Sequence, residues 1–443
     1  MNIYTIYFSV IFLSLFVVIG SSQTGKIDNL AEQAAQVTEF EVNGLKVIVK
    51  RRALSPTVAG GLFIRGGARN INEKNAGIES LMLTTAIDAG KTLPRQTVRR
   101  ELASMGSAFG SSVSNDFSVV SFGSTRQNFD RAWEIFSEVL LNPAFAEDDI
   151  KRDREQILTG LREAGTVPEG ALEALQDRVI YAGHPYANDV NGTIATIGSL
   201  TADDLRAYHK NMMETSRLLL VFVGDLDADQ LKTKIAATFG KLPRGNYKDA
   251  QYPPLDFSKG TLDVTQRTLP TNYIRGTFAA PSPGNPDYNA MRVAMSILQT
   301  LVYQEVRGRL QLSYAPDADM NNFGANTANI SVSTNDANKA VAVMREQIKI
   351  LQNSTLNEEV IDEIASFFLT RHYLGQETSG AQVGELARYE LVGGGWRNSF
   401  EFLNGVRSVK ARDIQSVANK YMKNLRFVYI GNTTDINRSV YVP

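Results

Sequence analysis

Apolar and polar positions fall into one order of elements, and the chain runs through that order twice. Phe40-Glu41-Val42 and Leu45-Lys46-Val47-Ile48-Val49 flank Asn43-Gly44, and this pair between two apolar runs predicts a tight hairpin. Val58 to Ile64 reads as a further strand, closed by Gly66-Gly67. A helix is predicted from about Ala76 to Ala89, then a hairpin of Ser111–Val113 and Phe117–Phe122 around Ser114-Asn115-Asp116. Long helices follow over roughly 126–141 and 147–165, and Leu218–Val223 is a last strand. The second half gives a strand at Asn272–Phe278, a helix at Asp287–Glu305, a strand at Ala325–Val332 and helices near 336–352 and 357–374.

The repetition has a fixed offset. Ser199-Leu200-Thr201-Ala202-Asp203-Asp204-Leu205 precedes a helical stretch and then an apolar strand ending in Gly224-Asp225. Ser408-Val409-Lys410-Ala411-Arg412-Asp413-Ile414 does the same before Phe427–Gly431, and 408 less 199 is 209. Ser333-Thr334 follows Ser124-Thr125 by the same 209 positions, and each pair stands before an apolar helical run as an N-cap signal. A period this long implies duplicated domains, not a solenoid. The fold class is α+β: two tandem homologous sandwich domains, each an antiparallel-rich sheet with helices on one face. The boundaries are set at 37–242 and 261–434, with Pro243 to Gly260 as an extended, Pro- and Tyr-containing linker.

Composition narrows the function classes. The 443 residues are 43% hydrophobic and 21% charged, with a formal net charge of -1, so nothing draws the chain generally to nucleic acid or anionic membranes. No cysteine is present, which excludes disulfides, thiolate metal sites and a catalytic thiol. Ile3 to Ile19 is nearly unbroken apolar sequence, and Gly20-Ser21-Ser22 offers small residues before Gln23. Residues 1–22 read as an export signal, with periplasmic delivery after cleavage; the alternative is an uncleaved membrane anchor. His184, His209 and His372 share no ligand spacing, so His184 reads as structural in a turn before Pro185 and the other two as helix residues. Lys151-Arg152-Asp153-Arg154 reads as a solvated helix face. Gly393-Gly394-Gly395-Trp396 reads as a connecting turn with a packed tryptophan. On pattern alone, Arg307 and Tyr314 are a surface cation and a half-buried aromatic.

Several segments together resemble the insulinase/pitrilysin-type inverzincin peptidases, the family of the mitochondrial processing peptidase and its bacterial relatives. They are Asn43-Gly44-Leu45, Gly66-Gly67-Ala68-Arg69, Ala76-Gly77, Gly90-Lys91-Thr92, Gly183-His184-Pro185-Tyr186 with Gly192-Thr193, Leu200 to Leu205, and Val223-Gly224-Asp225. The resemblance runs over about residues 37–433. It puts the first histidine of H-x-x-E-H on Ser80, the catalytic glutamate on Leu83 and the second histidine on Thr84. The distal glutamate ligand falls on Gly160, with Glu155 or Glu163 within a few residues, and Asp153 matches an acidic position of the family. Hydroxyls are poor zinc ligands and a leucine accepts no proton, so the resemblance implies a chain that binds no zinc itself.

The segment Val306-Arg307-Gly308-Arg309-Leu310-Gln311-Leu312-Ser313-Tyr314 matches the family's Arg/Tyr segment, departing from it at Gln311, where glycine is usual. The resemblance implies that Arg307 and Tyr314 contact the substrate backbone, where a phenol and a guanidinium fork suit a carbonyl oxygen gaining charge. It implies the non-catalytic, substrate-binding subunit of a heterodimeric metalloendopeptidase, inactive alone and forming half of a clam-like chamber. The zinc would sit in an HxxEH-bearing partner, and extended peptides would be the substrates. The rival expectation is a silent structural or peptide-binding scaffold.

Overall fold

The computed structural model describes residues 30–354, 356–434 and 436–442. The export-signal segment, 1–22, lies outside them. In the first half, β1 (Val37–Val42), β2 (Leu45–Arg51), β3 (Thr57–Arg65), β4 (Ala108–Val113), β5 (Phe117–Thr125) and β6 (Leu218–Gly224) form one sheet in the order β1-β2-β6-β3-β5-β4. In the second, β7 (Thr261–Gln266), β8 (Asn272–Ala279), β9 (Asp317–Met320), β10 (Thr327–Thr334) and β11 (Arg426–Gly431) form a sheet in the order β7-β11-β8-β10-β9. Each sheet is antiparallel except for one parallel pair, β2 with β6 and β7 with β11. The two orders coincide apart from β1, so the offset in the sequence is a duplication of the fold.

The β1–β2 hairpin turns where its residues allow it. Asn43 and Gly44 both have positive φ (51° and 82°), as a two-residue hairpin loop requires. The Asn43 amide then donates to the carbonyls of Gly240 and Leu242, fastening the hairpin to the end of the first half. Thr125 and Thr334 do not cap their helices as expected. The helices start at Phe129 and Ala337, and the two hydroxyls accept instead from turn N–H groups of Asn128 and Asp336. Asp336 takes the cap, accepting from Lys339 N.

Each sheet has two covered faces, and the second cover comes from the other half. Along β6 every residue of Leu-Leu-Leu-Val-Phe-Val-Gly is buried. Leu218, Leu220 and Phe222 face the first half's own helices with Leu81, Trp133 and Phe136. Leu219, Val221 and Val223 face Val383, Leu386, Ala387, Trp396 and Phe400 of the second half. The second sheet mirrors this. Phe427 and Tyr429 of β11 enter the second half's core, while Val428 and Ile430 pack on Leu172 and Leu175 of the first-half helix Pro168–Ile180. Strands buried on both faces read as continuous apolar runs, which is why these two last strands show no alternation. The halves exchange helices, and full burial of a leucine such as Leu172 contributes roughly 1.5–3 kcal/mol to that union.

A polar joint also holds the halves together. The buried Asp116 carboxylate accepts from Tyr186 OH at 2.6 Å and, across the halves, from Gly324 N at 2.9 Å. No residue in 242–260 lies in a helix or strand, yet this connection is pinned: Tyr252 OH donates to Asn115 O at 2.8 Å, and the Arg69 guanidinium lies 4.1 Å from the Tyr252 ring centre. His184 sits in this joint as a buried structural residue whose Nδ1 accepts from Tyr186 N.

Candidate functional site

The helix Ile78–Ala86 carries Ser80, Leu83 and Thr84. It begins at Gly77, which has φ 81°; a side chain there would place Cβ 2.6 Å from Gly192 Cα and 2.8 Å from Asn191 O. Two separated segments of the resemblance therefore touch, because only a glycine lets them approach. The helix itself is shorter than expected, starting at Ile78 and ending at Ala86.

Leu83 is 1% exposed and belongs to the first half's core. Ser80 and Thr84 are half-buried, and Thr84 Oγ1 lies 3.2 Å from Ser111 Oγ on β4. Gly160, on the helix Glu147–Thr166, is exposed, and an added Cβ would meet nothing within 4 Å. Two hydroxyls, an alkyl group and a bare backbone do not fit a zinc ion and its activated water. Among the described residues, no group of three or more His, Asp or Glu could hold a metal.

The acidic residues nearby are committed to structure. Glu79 is buried and its Oε2 accepts from Tyr208 OH at 2.6 Å and from Arg217 Nη2 at 3.3 Å. Arg217, also buried, donates through Nε to Arg65 O at 3.1 Å. This pair ties the helix to β3 and to the entry of β6. The segment 151–154 is not a solvated face, against expectation. Asp153 is 3% exposed and paired with Arg152, which also binds Asp88 and Asp149. Arg154 donates to the carbonyls of Ile197 and Leu200, and only Lys151 is exposed. A run of four charges gives no signal of this, because most of the partners come from two other segments, around Asp88 and around Ile197 to Leu200. Burial, and then the neighbouring Asp88, hold the Asp153 carboxyl above its usual range.

The second half presents the opposite arrangement. The helix Tyr288–Val302 continues into a π-helical turn, Tyr303–Arg309, in which Leu310 N donates to Glu305 O, five residues back. Such turns are frequent at functional sites. Arg307 and Tyr314 are brought together: Arg307 Nη1 donates to Tyr314 O at 3.0 Å, and the guanidinium lies 4.0 Å from the Tyr314 ring centre. The Tyr314 side chain is 79% exposed rather than half-buried. Tyr303, which sequence reading passed over, lies 5.0 Å from the same guanidinium. Each such contact is worth about 0.5–1 kcal/mol at an exposed site. Gln311 keeps a left-handed backbone, φ 52°, where the family usually has glycine. The turn survives the substitution at a strain of about 1–2 kcal/mol.

Sequence comparisons place this geometry. The model of the insulinase family (peptidase family M16) matches residues 46–194, and that of the peptidase M16 inactive domain matches residues 199–367. The beta subunit of the mitochondrial-processing peptidase of Saccharomyces cerevisiae is 21% identical to the chain, covering 90% of it and 92% of that subunit. YmxG of Helicobacter pylori, named a non-peptidase homolog, is also 21% identical, with 90% and 95% covered. The solved peptidase M16 inactive domain from Pseudomonas fluorescens shares the fold, with a TM-score of 0.80 at 19% identity over 90% of this chain and 99% of that one. The chain belongs to the insulinase family of peptidases, and its residues 199–367 match the inactive-domain model of that family.

Proposed function

We propose that the chain is the substrate-binding subunit of a heterodimeric metallopeptidase, and that it is exported to work outside the cytoplasm. One observation carries the reading. The helix that would bear the metal motif is packed as plain core, while Arg307 and Tyr314 stand together at an exposed turn that packing alone does not call for. An HxxEH-bearing relative would bring the metal, and this chain would close the other half of a chamber around an extended peptide. Arg307 and Tyr314 would hold a peptide carbonyl as it gains charge. The name of the yeast relative, a peptidase subunit, supports a multi-subunit assembly. The apolar run Ile3 to Ile19 supports export.

The test is to assay the chain alone and mixed with an HxxEH-bearing relative. Alone it is inert, and the pair hydrolyses unfolded peptides. Arg307→Ala or Tyr314→Phe lowers turnover by the pair by about 10²–10³-fold. Hydrolysis by the chain alone overturns the subunit reading, and full activity in the two variants overturns the assigned roles.

A second reading is a silent peptide-binding or structural scaffold. It is favoured by Arg307 Nη1 being already engaged with Tyr314 O, which leaves fewer donors for a substrate. Peptide binding by the mixed pair without hydrolysis would select it.

A further inference from the structure

The geometry points to Tyr303 as a positioning residue that holds the Arg307 guanidinium in register for peptide binding, an inference that rests on the substrate-binding reading of Arg307 and Tyr314. An arginine side chain at an exposed turn has many rotamers, and fixing them on binding costs affinity. Here the cost is met beforehand. The π-helical turn sets Tyr303 four residues before Arg307, on the same side of the helix, and the Tyr303 ring centre lies 5.0 Å from the guanidinium carbon. Tyr314 reaches the same guanidinium from beyond the turn, at 4.0 Å. Arg307 Nη1 is fixed on Tyr314 O. The guanidinium is thus held by two rings and one carbonyl, and among the described residues its other N–H groups make no further hydrogen bond, which leaves them to a substrate.

Core packing does not account for Tyr303. Its side chain is 43% exposed, whereas Val302 and Val306 beside it are fully buried. A flat aromatic face is what a stacking contact uses. Phenylalanine would therefore serve at this position, and alanine would not.

The experiment uses the full chain, first by itself. The side-chain Nε–H resonance of Arg307 is assigned through its loss in Arg307→Ala, and its order and solvent exchange are measured in wild type, Tyr303→Ala and Tyr303→Phe. Tyr303→Ala increases the mobility and exchange of this group, and Tyr303→Phe does not. An unchanged Arg307 resonance in Tyr303→Ala overturns the positioning role whatever the function of the site. Binding of a fluorescein-labelled unfolded β-casein peptide to the same proteins is then read by anisotropy. Tyr303→Ala weakens it about three-fold and Tyr303→Phe restores it. If Arg307→Ala leaves the peptide affinity unchanged, the substrate-binding reading fails. If Arg307→Ala weakens binding and Tyr303→Ala does not, that reading stands and the inference about Tyr303 falls.

Discussion

The helix Ile78–Ala86 and the helix Tyr288–Val302 occupy equivalent places in the two halves, yet they end differently. The first turns Leu83 into the core and Glu79 into a buried ion pair with Arg217. The second runs on through a π-helical turn that lifts Arg307 and Tyr314 out of the core. On the proposed reading, one position of the duplicated fold serves stability and its counterpart serves substrate contact. Substitutions should then separate cleanly, with large stability costs in the first half and large binding costs in the second.

The sharpest break would come from restoring the family's glutamate. Leu83→Glu places a carboxylate at a site 1% exposed, with a core of apolar side chains around it. It should destabilise the first half by about 4 kcal/mol or more, read by urea unfolding, and confer no stoichiometric zinc binding. Unchanged stability in that variant would mean that position 83 opens to solvent rather than into the core. Glu79→Ala comes next. It strands Arg217 without its buried partner and should cost about 3–5 kcal/mol. A loss below about 1 kcal/mol would show that Tyr208 and the Arg65 carbonyl hold Arg217 unaided.

Acid should strain the first half through its imidazoles. Burial depresses the pKa of His184 and of His209, and the His209 ring contacts Leu140 O and Phe145 with Lys91 as its charged neighbour. A depressed folded value means that above the usual value of 6.5 both states are neutral and nothing is lost. Below it the unfolded chain takes up protons that the folded chain refuses, so stability falls as pH drops through the folded value. The thermal unfolding midpoint should fall as the pH drops below about 6.5, and His209→Gln should flatten that slope. A midpoint that rises over this range would mean that raised carboxylates, Asp116 and Glu385 among them, outweigh the histidines.

How much of this was legible in the sequence depends on the range of the interaction. The Asn43-Gly44 hairpin is a local choice of backbone, and it could be read directly. The duplication was legible because both copies keep their turn hydroxyls and apolar runs in register. The exchange of the helices Pro168–Ile180 and Ser379–Val392 was not, since nothing in either helix says which sheet it will cover. The continuous burial of Leu219 and Val221 held the only hint. At the site, the missing ligands could be read from side-chain chemistry. The commitment of Arg152 and Asp153 could not, because their partners are assembled by the fold. Tyr303 escaped notice because a tyrosine in an apolar helical stretch looks like core until its exposure is known.

The smallest effects on stability should come from the contact region, and they make the comparison quantitative. Gln311→Gly relieves a left-handed residue but adds freedom to the unfolded chain, so the net gain should be about 0.5–1 kcal/mol. Tyr314→Ala should cost no more than about 1 kcal/mol, the worth of its contact with the Arg307 guanidinium, because a residue 79% exposed removes little apolar surface from water on folding. The same substitution should impair peptide turnover by the assembled pair far more than a change of that size could cause through unfolding. If Tyr314→Ala instead unfolds the second half, the exposed ring is bracing the π-helical turn through Arg307. The Arg307–Tyr314 contact would then be fold stabilisation, and the division between the two halves would disappear.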